Sequence, residues 1–203
     1  RKYCLELLKE FGLLGCKPVS TPMEPNSVLP YIPTADDPLL VNITGYQKLL
    51  GKLIYLTHTR PDISYSVHCL AQYMHSPLKS HLECALNVLR YLKGAPGKGL
   101  RYNFSNSENH LEGYSDADWA KCKKTRKSVT GYCVFFNDCL ISWKSKKQNT
   151  LSKSSTEAEY RSMSTAACEI IWIQKILKDL KVDINLPVNL FCDNKSALQL
   201  AVN

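Results

Sequence analysis

The sequence predicts an α+β or α/β protein, a mixed sheet with helices preceded by a small helical segment. Three observations lead there. Apolar residues recur at a period near 3.6 up to residue 99 and at a period of 2 beyond it. After residue 100 the elements read strand, strand, strand, helix, strand, helix. Asn137-Asp138 stands between two alternating runs, where a tight turn belongs. The boundary between two domains, 1–99 and 100–203, is placed on that change of period.

In the first part, Leu5, Leu7, Leu8 and Phe11 have helical spacing over 2–12, and Gly12 can take the left-handed stop. Residues 17–42 carry Pro18, Pro22, Pro25, Pro30, Pro33 and Pro38 with almost no periodicity, which predicts an extended connection that links and forms no core. Thr44 is the expected N-cap of a helix lined by Tyr46, Leu49, Leu50, Leu53, Ile54 and Leu56. Arg60-Pro61-Asp62 breaks it, and Pro61 opens the next helix through Val67, Leu70 and Tyr73. A third helix starts at Ser80, is lined by Leu82, Ala85, Leu86, Leu89 and Leu92, and ends at Gly94. The GAPGKG turn after it has no Ser or Thr following its lysine and no apolar strand before it, so it does not read as a phosphate loop.

In the second part, strands are expected at 110–116, 130–136 and 139–143. A long helix over 155–180 carries an inward stripe of Met163, Ala166, Ala167, Ile170, Ile173, Leu177 and Leu180. A strand at 188–193 and a helix opening at about 195 complete the order.

The composition is that of an ordinary globular chain, 203 residues with 44% hydrophobic and 22% charged. Lys and Arg number 26 against 18 Asp and Glu, a formal net charge of +8, and that excess points to a polyanion such as nucleic acid. The nine cysteines show no CxxC spacing and no histidine pair suited to zinc. They read as reduced, mostly buried thiols of an intracellular protein, cytoplasmic or nuclear and not secreted. The histidines at 58, 68, 75 and 81 read as ordinary helix residues. No apolar run approaches the ~18 residues needed to span a bilayer, so no membrane partner is expected. The chain opens on Arg1 without an initiator methionine, as expected of a fragment.

Against this basic background, Asp116 and Asp118 sit together at the end of an apolar-polar alternation. The long helix begins Ser154-Ser155-Thr156-Glu157-Ala158-Glu159, and Glu159 lies one turn before Met163 on the inward stripe. Glu157, rotated by about 200°, reads as a first-turn acid complementing the helix dipole. If the strand ending at Asp193 lies beside 110–116, the carboxylates of Asp116, Glu159 and Asp193 converge. Three such groups repel one another, and two divalent, oxygen-seeking cations such as Mg²⁺, with Mn²⁺ as a substitute, resolve the repulsion. Two ions can activate a water and stabilise the leaving oxygen of a phosphodiester, which is nuclease chemistry. Asp118 reads as an accessory ligand or as a plain turn residue. Asp193-Asn194 also fits an N-cap, and the two roles are compatible.

Basic residues flank these acids. Lys121, Lys123, Lys124, Arg126 and Lys127 follow the first strand, and Lys144, Lys146, Lys147 and Lys153 precede the long helix. Such clusters suit the phosphates of a nucleic-acid duplex, and 121–127 is also open to a nuclear-localisation reading. Trp119, Trp143 and Tyr132 read as core residues before they read as stacking platforms.

Five ordered blocks carry a family resemblance: Gly113 to Trp119 (GYSDADW), Ser128 to Val134 (SVTGYCV), Ile141 to Gln148 (ISWKSKKQ), Ser154 to Tyr160 (SSTEAEY) and Cys192 to Ala197 (CDNKSA). They resemble the ribonuclease H domain of copia-type retrotransposon Pol polyproteins. Tyr46 to Asp62 and Val88 to Gly97 are similar to the segment that joins the reverse transcriptase to that domain, a thumb or connection-like piece. The resemblance implies a ribonuclease H-like fold, with Asp116, Glu159 and Asp193 as catalytic metal ligands. It also implies Mg²⁺-dependent cleavage of the RNA strand of an RNA–DNA hybrid, and a polymerase domain upstream in the same polyprotein. The family's fourth carboxylate falls beyond residue 203, together with a strand and the closing helix. The polymerase's paired aspartates lie upstream, so Asp36-Asp37 in the proline-rich connection is assigned no such role. The alternative expectation is a non-catalytic remnant that folds or binds nucleic acid without cutting it.

Overall fold

A computed structural model describes residues 1–24, 27–102 and 109–202; Pro25 of the connection and Asn203 lie outside the described residues. The chain divides into two compact units, Arg1–Gly99 and Leu100–Asn203.

The first unit is helical: α1 (Lys2–Glu10), α2 (Ile43–Leu56), a 3₁₀ turn (Pro61–Ile63), α3 (Ser64–Ala71) and α4 (Lys79–Gly94). Its core joins Leu7 and Leu8 of α1, Tyr46, Leu49, Leu50 and Leu53 of α2, Val67 and Leu70 of α3, and Ala85, Val88, Leu89 and Leu92 of α4. The Tyr46 hydroxyl, with no solvent exposure, donates to the Leu70 carbonyl at 2.9 Å and so is itself satisfied. Gly12 takes φ +68 and lets the chain leave α1.

Three expectations about this unit are corrected. The cap of α2 is Asn42, whose side chain accepts from the Gly45 amide at 2.8 Å, and Thr44 already lies inside the helix. An Asx side chain two residues upstream reaches the orphan amide that Thr44 would have left open. Ile54 is 40% exposed, outside the buried stripe. The connection over 17–42 does more than link, since Met23, Leu29 and Leu40 pack against the core and Leu39 bridges Leu78. Asp37 accepts from the Ser80 amide at 2.9 Å and the Ser80 hydroxyl at 2.7 Å, capping the start of α4 from outside the helix.

His81 lies in α4, as expected of a helix residue, and is fully buried there. Its Nδ1 accepts the Leu78 amide at 3.0 Å, so the proton of the neutral ring sits on Nε2 and is donated to the Pro30 carbonyl at 2.8 Å. Burial pushes its pKa below the ordinary value of 6.5, with the Pro30 carbonyl and Asp37 opposing. A depressed folded-state pKa means that the unfolded chain binds the proton more readily. Its stability contribution is therefore complete above pH 6.5 and is lost as the pH falls below it toward the lower folded value. Urea unfolding of the chain is expected to weaken between pH ~7 and ~5 by an increment that the His81→Gln variant lacks; equal slopes would remove His81 as the cause.

The second unit holds β1 (Leu111–Asp118), β2 (Val129–Phe136), β3 (Cys139–Lys147), α5 (Ser155–Asp179), β4 (Asn189–Phe191) and α6 (Lys195–Val202). The strand order is β3-β2-β1-β4, with the first three antiparallel and β4 parallel to β1. This is the expected mixed sheet with helices. Asn137 and Asp138 both adopt positive φ at the β2–β3 turn, a geometry these residues tolerate. The third strand runs four residues past the expected 143, and β4 is only three residues long, shorter than the expected 188–193.

Helix α5 lies on one face of the sheet, where Ala166, Ile170 and Ile173 meet Leu111, Tyr132 and Val134. Gly113 permits the close approach, since a Cβ there would come within 2.6 Å of Ile170 Cδ1 and 3.3 Å of Leu190 Cδ1. Leu180 is 67% exposed and outside the stripe, because the helix has ended at Asp179. Tyr132 is core, its hydroxyl pushed up to about 12 mainly by burial. Trp119 is not core: it is 47% exposed, and its indole N–H donates to the Ser152 carbonyl.

Candidate functional site

Parallel pairing sets the site. Tyr114 stands opposite Phe191, so Asp116 and Asp193, each two residues further on, occupy equivalent places just past the β1–β4 pairing, Asp116 still within β1 and Asp193 two residues beyond β4. Helix α5 crosses over them. Its start is fixed by Ser154, which accepts the Glu157 amide, and by Glu157, which accepts the Lys153 amide and pairs with Arg161. These bonds hold the Glu157 carboxyl below the usual range, the Lys153 amide first and Arg161 second, as suits a first-turn acid. Gln148 adds a second brace, donating to the Thr130 hydroxyl and the Ala158 carbonyl, while its oxygen accepts from Ser152. Glu159 is thereby carried to the sheet and is 6% exposed.

Among the described residues, Glu159, Cys192 and Asp193 form a group whose potential ligand atoms all lie within 4.8 Å of one another. Asp116 lies outside that set yet acts on it electrostatically. Burial raises the Glu159 carboxyl, and Asp116 and Asp193 raise it further against the opposing Ala117 amide. The Asp116 carboxyl is raised by burial, then by Asp118 and Asp193. Because Asp116 is itself exposed at the surface, the neighbouring charges are the weightier cause. Two oxygen donors from separate elements, one deeply buried and both facing like charge, fit a hard divalent cation.

Asp118 ends β1 and pairs with Lys121 at 3.6 Å. The cap of α6 is Asn194, whose Oδ1 accepts the Ala197 amide at 2.9 Å, and this leaves Asp193 free of that duty. Of the basic residues, Lys123, Lys124 and Arg126 are exposed on the β1–β2 connection. Lys127 is tied to the Asn149 carbonyl, and Lys147 lies 3.7 Å from the Cys122 sulfur. Lys144 and Lys146 are exposed and line a groove of about 660 Å³ with Tyr160, Arg161 and Thr165 of α5. Register separates the two regions: Asp116 pairs with Gly131 and Gly131 with Ser145, so Ser145 shares the face of Asp116, whereas Lys144 and Lys146 on either side of it point to the face that α5 covers.

Cys192 and Gln148 were not singled out by the sequence reading. Cys192 was legible only as the neighbour of a strand-terminal acid. No local signal marks Gln148, whose partners lie in β2, in α5 and further along its own connection.

A four-stranded mixed sheet with one long helix packed across it is an α+β fold of the ribonuclease H-like kind. No family model matches the chain, and no solved structure matches it. Its curated relatives are more specific. It is 41% identical over all 203 residues to the retrovirus-related Pol polyprotein from transposon RE1 of Arabidopsis thaliana, covering 14% of that protein. It is 36% identical over its whole length to the corresponding polyprotein from transposon TNT 1-94 of Nicotiana tabacum, covering 15% of it. An uncharacterized mitochondrial protein of Arabidopsis thaliana, AtMg00810, is 42% identical over 84% of the chain and is itself covered to 69%. The chain belongs to the family of retrovirus-related Pol polyproteins of copia-type transposons, and it spans about one seventh of the length of the first of these relatives. Among the described residues, no helix is long and apolar enough to cross a membrane.

Proposed function

We propose that Leu100–Asn203 belongs to a ribonuclease H domain that hydrolyses the RNA strand of RNA–DNA hybrids during reverse transcription. Arg1–Gly99 is then the thumb or connection segment that follows the polymerase in the same polyprotein. The observation carrying this reading is the buried Glu159 carboxyl facing Asp116 and Asp193, which stand in equivalent positions two residues past the last β1–β4 pair.

Asp116, Glu159 and Asp193 would hold the cations, two Mg²⁺ with Mn²⁺ able to substitute, and Asp118 stands near enough to raise Asp116. Bound cations supply Lewis-acid activation of water and neutralise the charge developing on the phosphodiester. The chain's own residues do the rest. The bonds of Ser154 and Gln148 fix the helix start that carries Glu159, so its backbone is placed before a substrate arrives. Lys121, Lys123, Lys124, Arg126 and Lys127 after β1, with Lys144, Lys146 and Lys147 of β3, would attract the phosphates of the hybrid to this unit.

The test is incubation of an end-labelled RNA–DNA hybrid with Mg²⁺ and either this chain or a form extended at both ends. The reading expects the extended form to cut the RNA strand and to leave an all-DNA duplex intact. Salt-sensitive binding by both forms with cleavage by neither would replace it with the remnant that binds without cutting.

A further inference from the structure

Helix α5 meets the acidic cluster through more than its glutamate. One turn beyond Glu159, Ser162 has no solvent exposure and interrupts an otherwise apolar stripe between Ala158, Met163 and Ala166. Its hydroxyl lies 2.6 Å from the Asp116 carbonyl, to which it donates, and 3.2 Å from the carbonyl of Gly131, the cross-strand partner of Asp116. With one proton to give, the hydroxyl serves the nearer oxygen first. The amide at the other end of the same peptide group, Ala117 N–H, faces the carboxylates of Asp116 and Glu159. Oxygen and hydrogen of a trans peptide point to opposite sides. The helix therefore holds the Asp116–Ala117 peptide at its oxygen through Ser162, while the amide of the same peptide lowers the Glu159 carboxyl.

We propose that Ser162 is a positioning residue for the cation site: by fixing the plane of the Asp116–Ala117 peptide, it sets the direction in which the Asp116 carboxylate leaves the strand and the depth at which Glu159 sits. This rests on the metal-centre reading above. A peptide plane free to rock about the strand axis would move the Asp116 carboxylate relative to Glu159 and Asp193, and a divalent ion with short oxygen bonds tolerates little such misplacement. The simpler role for a buried helix serine is to tie helix to sheet. The same helix offers a direct comparison, since the Ser142 hydroxyl of β3 donates to Glu169 at 2.7 Å. That second tie joins α5 to the sheet away from the acids.

The experiment titrates Mn²⁺ into the 203-residue chain, with paramagnetic enhancement of water-proton relaxation as the binding readout and thermal melting of the metal-free protein alongside. Ser162→Ala is expected to raise the apparent Mn²⁺ dissociation constant about three- to tenfold, the equivalent of one hydrogen bond. Ser142→Ala is expected to lower the melting midpoint by a similar amount while leaving Mn²⁺ binding unchanged. Unaltered binding in Ser162→Ala, or equal weakening in Ser142→Ala, overturns the positioning role and leaves the metal-centre reading standing. A wild-type chain that binds no Mn²⁺ overturns both.

Discussion

Glu159→Gln is expected to do two opposite things: to abolish Mg²⁺-dependent cleavage by the extended protein and to make the metal-free protein more stable at neutral pH. The first follows from loss of a buried ligand, an effect of about a hundredfold or more on the scale of removing one electrostatic stabiliser. The second follows from the environment of the carboxylate, which is 6% exposed and raised by burial and by the charges of Asp116 and Asp193. A carboxyl whose folded-state pKa lies above its ordinary 4.5 destabilises the fold once the pH rises through that window, and a neutral amide of the same shape does not. The gain should fade below pH 4.5, where both states are protonated. Adding Mg²⁺ should then raise the melting midpoint of the wild type and leave that of the variant in place. A variant that melts below the wild type without metal, or one that Mg²⁺ stabilises equally, would remove Glu159 from the centre.

Gly113→Val should inactivate the domain from a position that touches no acid. A valine there would drive its side chain into Ile170 and Leu190, both fixed in the core between α5, β1 and β4. Overpacking of this kind costs about 1–3 kcal/mol. The relief available is for α5 to lift or β4 to slide, and either movement separates Glu159 or Asp193 from Asp116. A displacement near 1 Å at a reacting centre costs about a hundredfold in rate. Cleavage should therefore fall out of proportion to the loss in melting temperature. Pairing Gly113→Val with Ile170→Ala, which opens space at the contact, should recover part of the activity, and no recovery would argue against the steric account.

Much of this architecture was legible because it rests on local pattern. The stripe from Met163 to Ile173 reads as one helix face, and its inward register carries Glu159 with it. Asn137-Asp138 announces its turn because both residues tolerate positive φ. Legibility fails where a partner is distant in sequence. Thr44 reads as the cap of α2, yet the structure starts the helix at Ile43 and caps it with Asn42. His81 looks like any helix histidine until the proline-rich segment brings the Pro30 carbonyl to its ring. Ser162 did give a local sign, a polar residue on an apolar stripe, but the carbonyls that explain it belong to β1 and β2.

The shortness of β4 bears on the order in which the acids come together. The β1–β2–β3 meander closes through neighbouring turns, whereas β4 pairs with β1 over three residues after the whole of α5 has intervened. Long closures are entropically late, and three pairs give little to resist their reopening. Asp116 and Glu159 thus stand on the durable part of the unit, and Asp193 arrives last and leaves first. An ion shared among them would act as a clasp on the edge of the sheet, so that the strand most prone to detach is retained by the charge it helps to bind.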